Sequence, residues 1–175
     1  MSALPGIPVK IRDFRASDQS ACRSLYVEGL VSGKNADNDT ALDIDGIEQA
    51  YMRPGSHCWV AEADCGKVVA MIGVQHHDAG VGEIRRLRVH PDYRRRGIGK
   101  ALVEMAIKFC REHNYLKVCL DTFMEEAAAI QLFERFGFRH NRTRRVGDKD
   151  MVDFYLDLYS GGPSSSSQSD HPSAT

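Results

Sequence analysis

The segment Arg94-Arg95-Arg96-Gly97-Ile98-Gly99-Lys100 gathers four cations and two glycines where a strand-like run, Glu83 to Val89, gives way to a helical one. Backbone N–H groups in the first turn of a helix lack an internal partner and sit at the positive end of the helix dipole. Glycines let an anion approach those groups closely, and arginines add charge-assisted hydrogen bonds. The chemistry is that of a site for a phosphate-bearing ligand. A P-loop would need glycine at Arg94 and Ser or Thr at Ala101, and is rejected. A Rossmann fingerprint would need glycine at Leu102, although Asp121 lies at about the expected distance downstream. Nucleic-acid binding by the arginines would call for interleaved stacking aromatics, and only Tyr93 is nearby. A solvated basic turn is the remaining reading of the heptapeptide alone. No His/Cys spacing supports a metal site.

The elements around this loop follow from periodicity. Val9 to Phe14 alternates as a first strand; Ser17 or Asp18 can cap a helix carrying Cys22, Leu25, Tyr26 and Leu30 at helical spacing. Gly29 to Thr40 reads as a polar loop, and Asp43 to Tyr51 as a short helix ended by Pro54-Gly55. His57–Ala63, Lys67–His77 and Glu83–Val89 read as antiparallel strands joined by tight glycine-bearing turns. After Gly99, the apolar face of Leu102, Met105, Ala106 and Phe109 predicts a helix to about Asn114. A strand at Lys117–Thr122, a helix from Glu125 to Phe136 stopped by Gly137, and a hairpin around Gly147-Asp148 complete the order. The expected fold class is α/β (α+β), with a mixed, mostly antiparallel central sheet flanked by helices.

At 175 residues, 42% hydrophobic and 27% charged, the chain has the composition of one globular domain. A formal net charge of −1 gives no global pull toward nucleic acid or membranes, so neither is expected as a partner. Five scattered cysteines without a CxxC pair, and a start without a signal-type apolar region, predict free thiols and a cytoplasmic protein. The Gly/Ser/Pro-rich stretch 161–175 predicts a disordered tail behind a domain at 1–160.

The pattern V-x-P-x-Y-R-x-x-G-I-G-K-A-L after an antiparallel meander resembles the acetyl-CoA site of the GNAT N-acetyltransferase superfamily. Arg94, Gly97 and Gly99 match the signature Gln/Arg-x-x-Gly-x-Gly/Ala. The likeness continues through Leu120-Asp121-Thr122 and Ala127 to Phe138, with the terminal Gly-Phe of the family's downstream helix. It covers roughly residues 8 to 159, most strongly Glu83 to Phe138. The resemblance implies a GNAT acyl-CoA acyltransferase fold, with acetyl-CoA as cosubstrate and a primary amine of a small molecule or protein as acceptor. Backbone groups of Leu87, Arg88 and Val89 would hold the pantetheine arm. The pyrophosphate would rest on N–H groups from Arg95 to Lys100, Ile98 and Gly99 included, and Arg95 or Arg96 could serve the ribose phosphate.

The resemblance also implies direct acetyl transfer, with Glu83 as the general base acting through water. Asp121 is the reserve base. Of the neighbouring His76 and His77, at most one can face the substrate, because adjacent strand residues point opposite ways. Two positions depart from the pattern. Phe133 stands where many relatives have the tyrosine that protonates the departing thiolate, and Glu126 where many have an asparagine. A non-catalytic acyl-CoA-binding regulatory module is therefore the alternative to an enzyme. The acidic stretch Ala36 to Glu48 could draw a cationic acceptor or could be a solvated face. Homodimers are common in the superfamily, but no residue pattern here marks an interface.

Overall fold

The computed structural model describes residues 2–3, 8–29 and 39–159. The expected tail at 161–175, Leu30 and most of the expected 29–40 loop lie outside them. Eight strands form one sheet: β1 (Ser2–Ala3), β2 (Val9–Asp13), β3 (His57–Ala63), β4 (Val68–Asp78), β5 (Val81–Val89), β6 (Lys117–Phe123), β7 (Arg139–Val146) and β8 (Lys149–Asp157). The helices are α1 (Gln19–Glu28), α2 (Leu42–Asp45), α3 (Ile47–Tyr51), α4 (Ile98–Glu112) and α5 (Ala127–Arg135). The strand order is β1-β2-β3-β4-β5-β6-β8-β7. Every neighbouring pair is antiparallel except β5–β6. The mixed, mostly antiparallel sheet is the expected one.

Each face of the sheet carries its own core. On one face, α4 presents Ile98, Leu102, Val103, Ala106 and Cys110, all buried against Val69, Ile72, Ile84 and Val118. The recurrence at three and four residues is a helical stripe, wider than its Leu102–Phe109 line suggested. On the other face, α1, α2 and α3 bury Cys22, Leu25, Tyr26, Ile44, Ile47 and Tyr51 against Val60 and Met71.

Three local expectations change. Asp18 does not cap α1. Its carboxylate accepts two bonds from the Arg12 guanidinium, at 2.7 and 2.9 Å, and one from the Arg15 N–H at 2.8 Å. Buried Arg12 also reaches Glu62, so satisfying that cation takes precedence over the cap. The single helix expected at Asp43–Tyr51 is two short ones broken at Gly46, whose carbonyl accepts the first bond of α3 from Ala50. The strand expected from Glu83 starts at Val81, so the β4–β5 turn is only Ala79-Gly80, with Gly80 at φ +72°.

The end of α5 explains Phe133. Gly137 at φ +89° lets its own N–H bond Glu134 O and the Phe138 N–H bond Phe133 O, which is the Schellman arrangement. The motif brings the two flanking apolar side chains together. Phe133 and Phe138 meet edge to face at 5.5 Å between centroids, and both are buried.

Candidate functional site

The site begins where β5 and β6 part. They are paired only at Val81–Glu83 against Lys117–Cys119, and beyond Glu83 they diverge. The resulting cleft, of about 1480 Å³, is walled by β5 beyond Glu83, the end of β6, the start of α4, α5 and residues 39–43. The divergence has a cause in β5. Arg85 pairs with Gly73 and Arg88 with Met71, so Arg86 and Leu87 together oppose Ile72. Arg86 takes φ +57°, as one residue of such a bulge must leave the extended region.

Backbone groups line the end of the cleft next to α4. The His90 N–H bonds Val69 O on β4, so strand alternation turns the edges of Leu87 and Val89 toward the gap. The carbonyl of Val89 accepts from Arg94 Nε at 3.1 Å, and that of Leu87 from Arg88 Nη1 at 3.0 Å. The first bond of α4 runs from Ala101 N–H to Gly97 O, which leaves Ile98, Gly99 and Lys100 N–H without helical partners. Gly97 turns the chain at φ +78°, with open space where a Cβ would stand. A Cβ at Gly99 would lie 3.5 Å from Leu132 and 3.9 Å from Val89, between the walls of the cleft. Arg94 Nη2 is buried with no partner among the described residues. An orphaned guanidinium nitrogen beside a helix start fits the diphosphate of a CoA molecule.

Of the residues expected to bind the cosubstrate, the cleft lining brings together Leu87, Arg88, Val89, Arg94, Arg95, Gly97, Ile98, Gly99 and Lys100. It leaves out Arg96, whose guanidinium stacks over Tyr93 at 5.3 Å. Arg88 is a side-chain feature as well as a backbone one. Burial, followed by the charge of Arg86, pushes its guanidinium down to about 10.

The opposite end is built from side chains. Asp39, Thr40, Leu42, Asp43, Gln75, Arg85 and Arg86 face each other there. Arg86, with a side chain only 9% exposed, grips two carboxylates: Asp39 through Nη1 and Nη2, and Asp43 at 2.6 and 2.9 Å. Tyr51 Oη donates to Asp43 as well, at 2.5 Å. Burial pushes Asp43 up, but the hydrogen bonds of Arg86 and Tyr51 and the charge of Arg86 outweigh it and hold the carboxyl below its ordinary value. Asp39 is driven further below, since the same burial is overcome by Arg86 and the Ala41 N–H. Among the described residues of the acidic stretch, Asp39, Asp43 and Asp45 are thus engaged, Asp45 with Arg23 at 2.7 Å.

Glu83 lies beside this end rather than in the cleft wall. It pairs with Gln75 on β4 and with Cys119 on β6. Its side chain is 21% exposed, and its Oε2 is 3.5 Å from His77 Nδ1. Burial, then the charges of Glu83 and Asp121, push the Cys119 thiol up to about 11. His76 turns the other way, 3.3 Å from Tyr115 Oη, so only His77 shares the side of Glu83. Asp121 lines the cleft but is held by Arg144 at 2.7 Å, which also binds Asp153. Glu126 is buried in the wall. Gln75, Arg85 and Arg86 escaped the sequence reading. The doubled arginine interrupting the alternation of "EIRRLRV" was the signal of a bulge.

The Acetyltransferase (GNAT) family model matches residues 20–138. Human N-acetylaspartate synthetase is 40% identical over 100 residues, 56% of this chain and 33% of that protein. Human N-acetyltransferase 8 is 34% identical over 109 residues, 59% of this chain and 48% of that protein. The chain thus spans from about a third to about half of the length of such curated relatives. A GNAT acetyltransferase structure from Staphylococcus aureus Mu50 superposes with a TM-score of 0.76 at 23% identity, over 86% of this chain and 99% of that one. One from Salmonella typhimurium, solved with its cofactor acetyl-CoA, gives 0.73 at 21%, over 90% and 99%. At such identities the likeness is one of fold.

Proposed function

Because the chain belongs to the acetyltransferase (GNAT) family, we propose that it transfers an acetyl group from acetyl-CoA to a primary amine of a small molecule or a protein. The observation that carries this is the partnerless Arg94 Nη2 beside the open N-terminus of α4, at the end of a gap between two diverging strands. Pantetheine adds to the free edge of β5 at Leu87 and Val89, and the diphosphate binds the N–H groups from Arg95 to Lys100. The thioester then lies toward Gln75 and Arg85.

An acceptor ammonium must lose a proton before it attacks. Glu83, set back beside the cleft and facing Gln75 across the strand pair, takes it through water. The amine nitrogen forms a bond to the acetyl carbon, the C–S bond breaks, CoA leaves as thiolate, and the nitrogen gives its surplus proton to water. A thiol pKa of about 8.5 lets that thiolate leave near neutrality without a phenol donor, consistent with Phe133 at the position where many relatives carry tyrosine.

That same phenylalanine favours a second reading, a module that binds acyl-CoA without turnover, because its ring is buried against Phe138 and has no proton to give. Acetyl-CoA titration paired with CoA release over a panel of amines separates the two. Binding with turnover supports the enzyme, and binding without turnover of any amine supports the module. No binding sinks both.

A further inference from the structure

Arg85 and Arg86 are consecutive on β5, and in a regular strand they would face opposite sides of the sheet. The bulge at Arg86 places both guanidinium groups on the side of α2 and α3. Their surroundings then diverge. Arg86 donates four hydrogen bonds to two carboxylates. Arg85 donates one, from Nη1 to the neutral Oε1 of Gln75 at 3.2 Å. Gln75 is itself braced, its Nε2 bonding Ala50 O at 3.1 Å. Among the described residues, no carboxylate lies within ion-pair distance of Arg85. Asp43, on which the charge of Arg85 acts, already takes two bonds from Arg86 and one from Tyr51. Arg85 is therefore held in place without an ion pair of its own among the described residues, and it lines the cleft.

We propose that Arg85 is the seat of an anionic group on the acceptor, so that the amine acetylated here carries a carboxylate, as an amino acid does. This rests on the acetyl-transfer reading above. A guanidinium has five N–H donors in a fork that matches a carboxylate, and four of those of Arg85 have no partner among the described residues. Of the aspartates that line the cleft, Asp39 and Asp43 belong to Arg86 and Asp121 to Arg144, while Glu83, the base in this reading, lies beside the cleft. The two aspartates and two arginines cancel in charge, so these four residues do not repel an incoming carboxylate. Glu83 lies two residues from Arg85 on the same strand face, roughly 7 Å along β5. A base and an anion seat at that spacing suit an amine and a carboxylate within one small molecule. Leu42, 72% exposed at the rim, offers an apolar contact for the remainder of the acceptor.

The test measures CoA release with the twenty common amino acids, each beside its own carboxamide, and with spermidine and a lysine-containing peptide. The carboxamide keeps the amine, removes the anion and lowers the amine pKa, so intrinsic reactivity runs against the expected preference. For the best acceptor, kcat/KM should exceed that of its amide by about 30-fold, the scale of one charge-assisted fork in a partly dry site. Arg85→Gln should bring that ratio to about 1, and Arg85→Lys should recover part of it, with acetyl-CoA affinity within about twofold of wild type in both. Amides, spermidine or the peptide turned over as well as the acids would overturn the proposal while leaving acetyl transfer intact. So would an Arg85→Gln protein that keeps the preference. Bound acetyl-CoA with no turnover of any amine would instead remove the catalytic reading, and this one with it.

Discussion

The two ends of the cleft recognise by different means. Beside α4 the working groups are backbone N–H and C=O, exposed because Gly97 and Gly99 subtract side chains and because β5 and β6 diverge. Beside α2 and α3 they are side chains, two arginines and two aspartates, brought together by one bulge. Backbone recognition tolerates change in the neighbouring side chains but not the return of a Cβ. Side-chain recognition tolerates little, because each carboxylate there is already shared among fixed donors. The first end suits a cosubstrate that never varies, the second an acceptor that must be chosen.

Substitutions can break this division, and the largest effect is expected at the base. Glu83→Gln should lower turnover about 10²–10⁴-fold while acetyl-CoA affinity stays near wild type, because the base sits away from the backbone-lined end. Steady-state CoA release measured beside acetyl-CoA titration checks both halves. Unchanged turnover would move the role to Asp121 or His77.

Next in size is the lock on the acidic wall. Arg86→Met leaves Asp39 and Asp43 half-buried without their cation, and should cost about 3 kcal/mol of stability, as removal of one partner from a buried pair does. Chemical denaturation reads that loss directly. The same pair predicts a pH dependence. Asp39 and Asp43 have folded-state values below their unfolded ones, so their contribution is fully present above about pH 4 and is lost as pH falls through the folded values. Denaturation of wild type between about pH 5 and 2 should show a fall in stability that Arg86→Met largely lacks.

Gly99→Val addresses the other end alone. Its branched side chain would fill the space between Leu132 and Val89, beside the helix start proposed to hold the diphosphate. Acetyl-CoA affinity should fall about 10–100-fold, the cost of one to two lost charge-assisted contacts, with melting little changed. Full affinity in a folded variant would move the diphosphate elsewhere.

The smallest effect is expected from Phe133→Tyr. The ring sits both in the Schellman contact with Phe138 and in the cleft wall. Turnover should stay within about threefold of wild type, because a thiolate leaving group near neutrality needs little help. A tenfold rise would show that protonation of the thiolate limits the rate.

The sequence by itself determined the elements and the backbone-lined end of the site. Strand alternation, the helical stripe of α4 and the glycines at 97, 99 and 137 each act within a few residues, where sterics and periodicity decide the outcome. The turn at Arg94–Lys100 was legible for the same reason: glycines between a strand-like run and a helical stripe mark where the chain turns and the helix opens. Tertiary structure decided the rest. The insertion of β8 between β6 and β7 and the parting of β5 from β6 depend on which distant strands pair. The capture of Asp18 by Arg12, and of Asp39 and Asp43 by Arg86, depends on partners 6 to 47 residues away. Only one of two adjacent arginines was left without a carboxylate, and the bulge settled which. A one-residue change of register turns a strand residue to the opposite face, and the doubled arginine signals a bulge without saying which of the two takes the carboxylates.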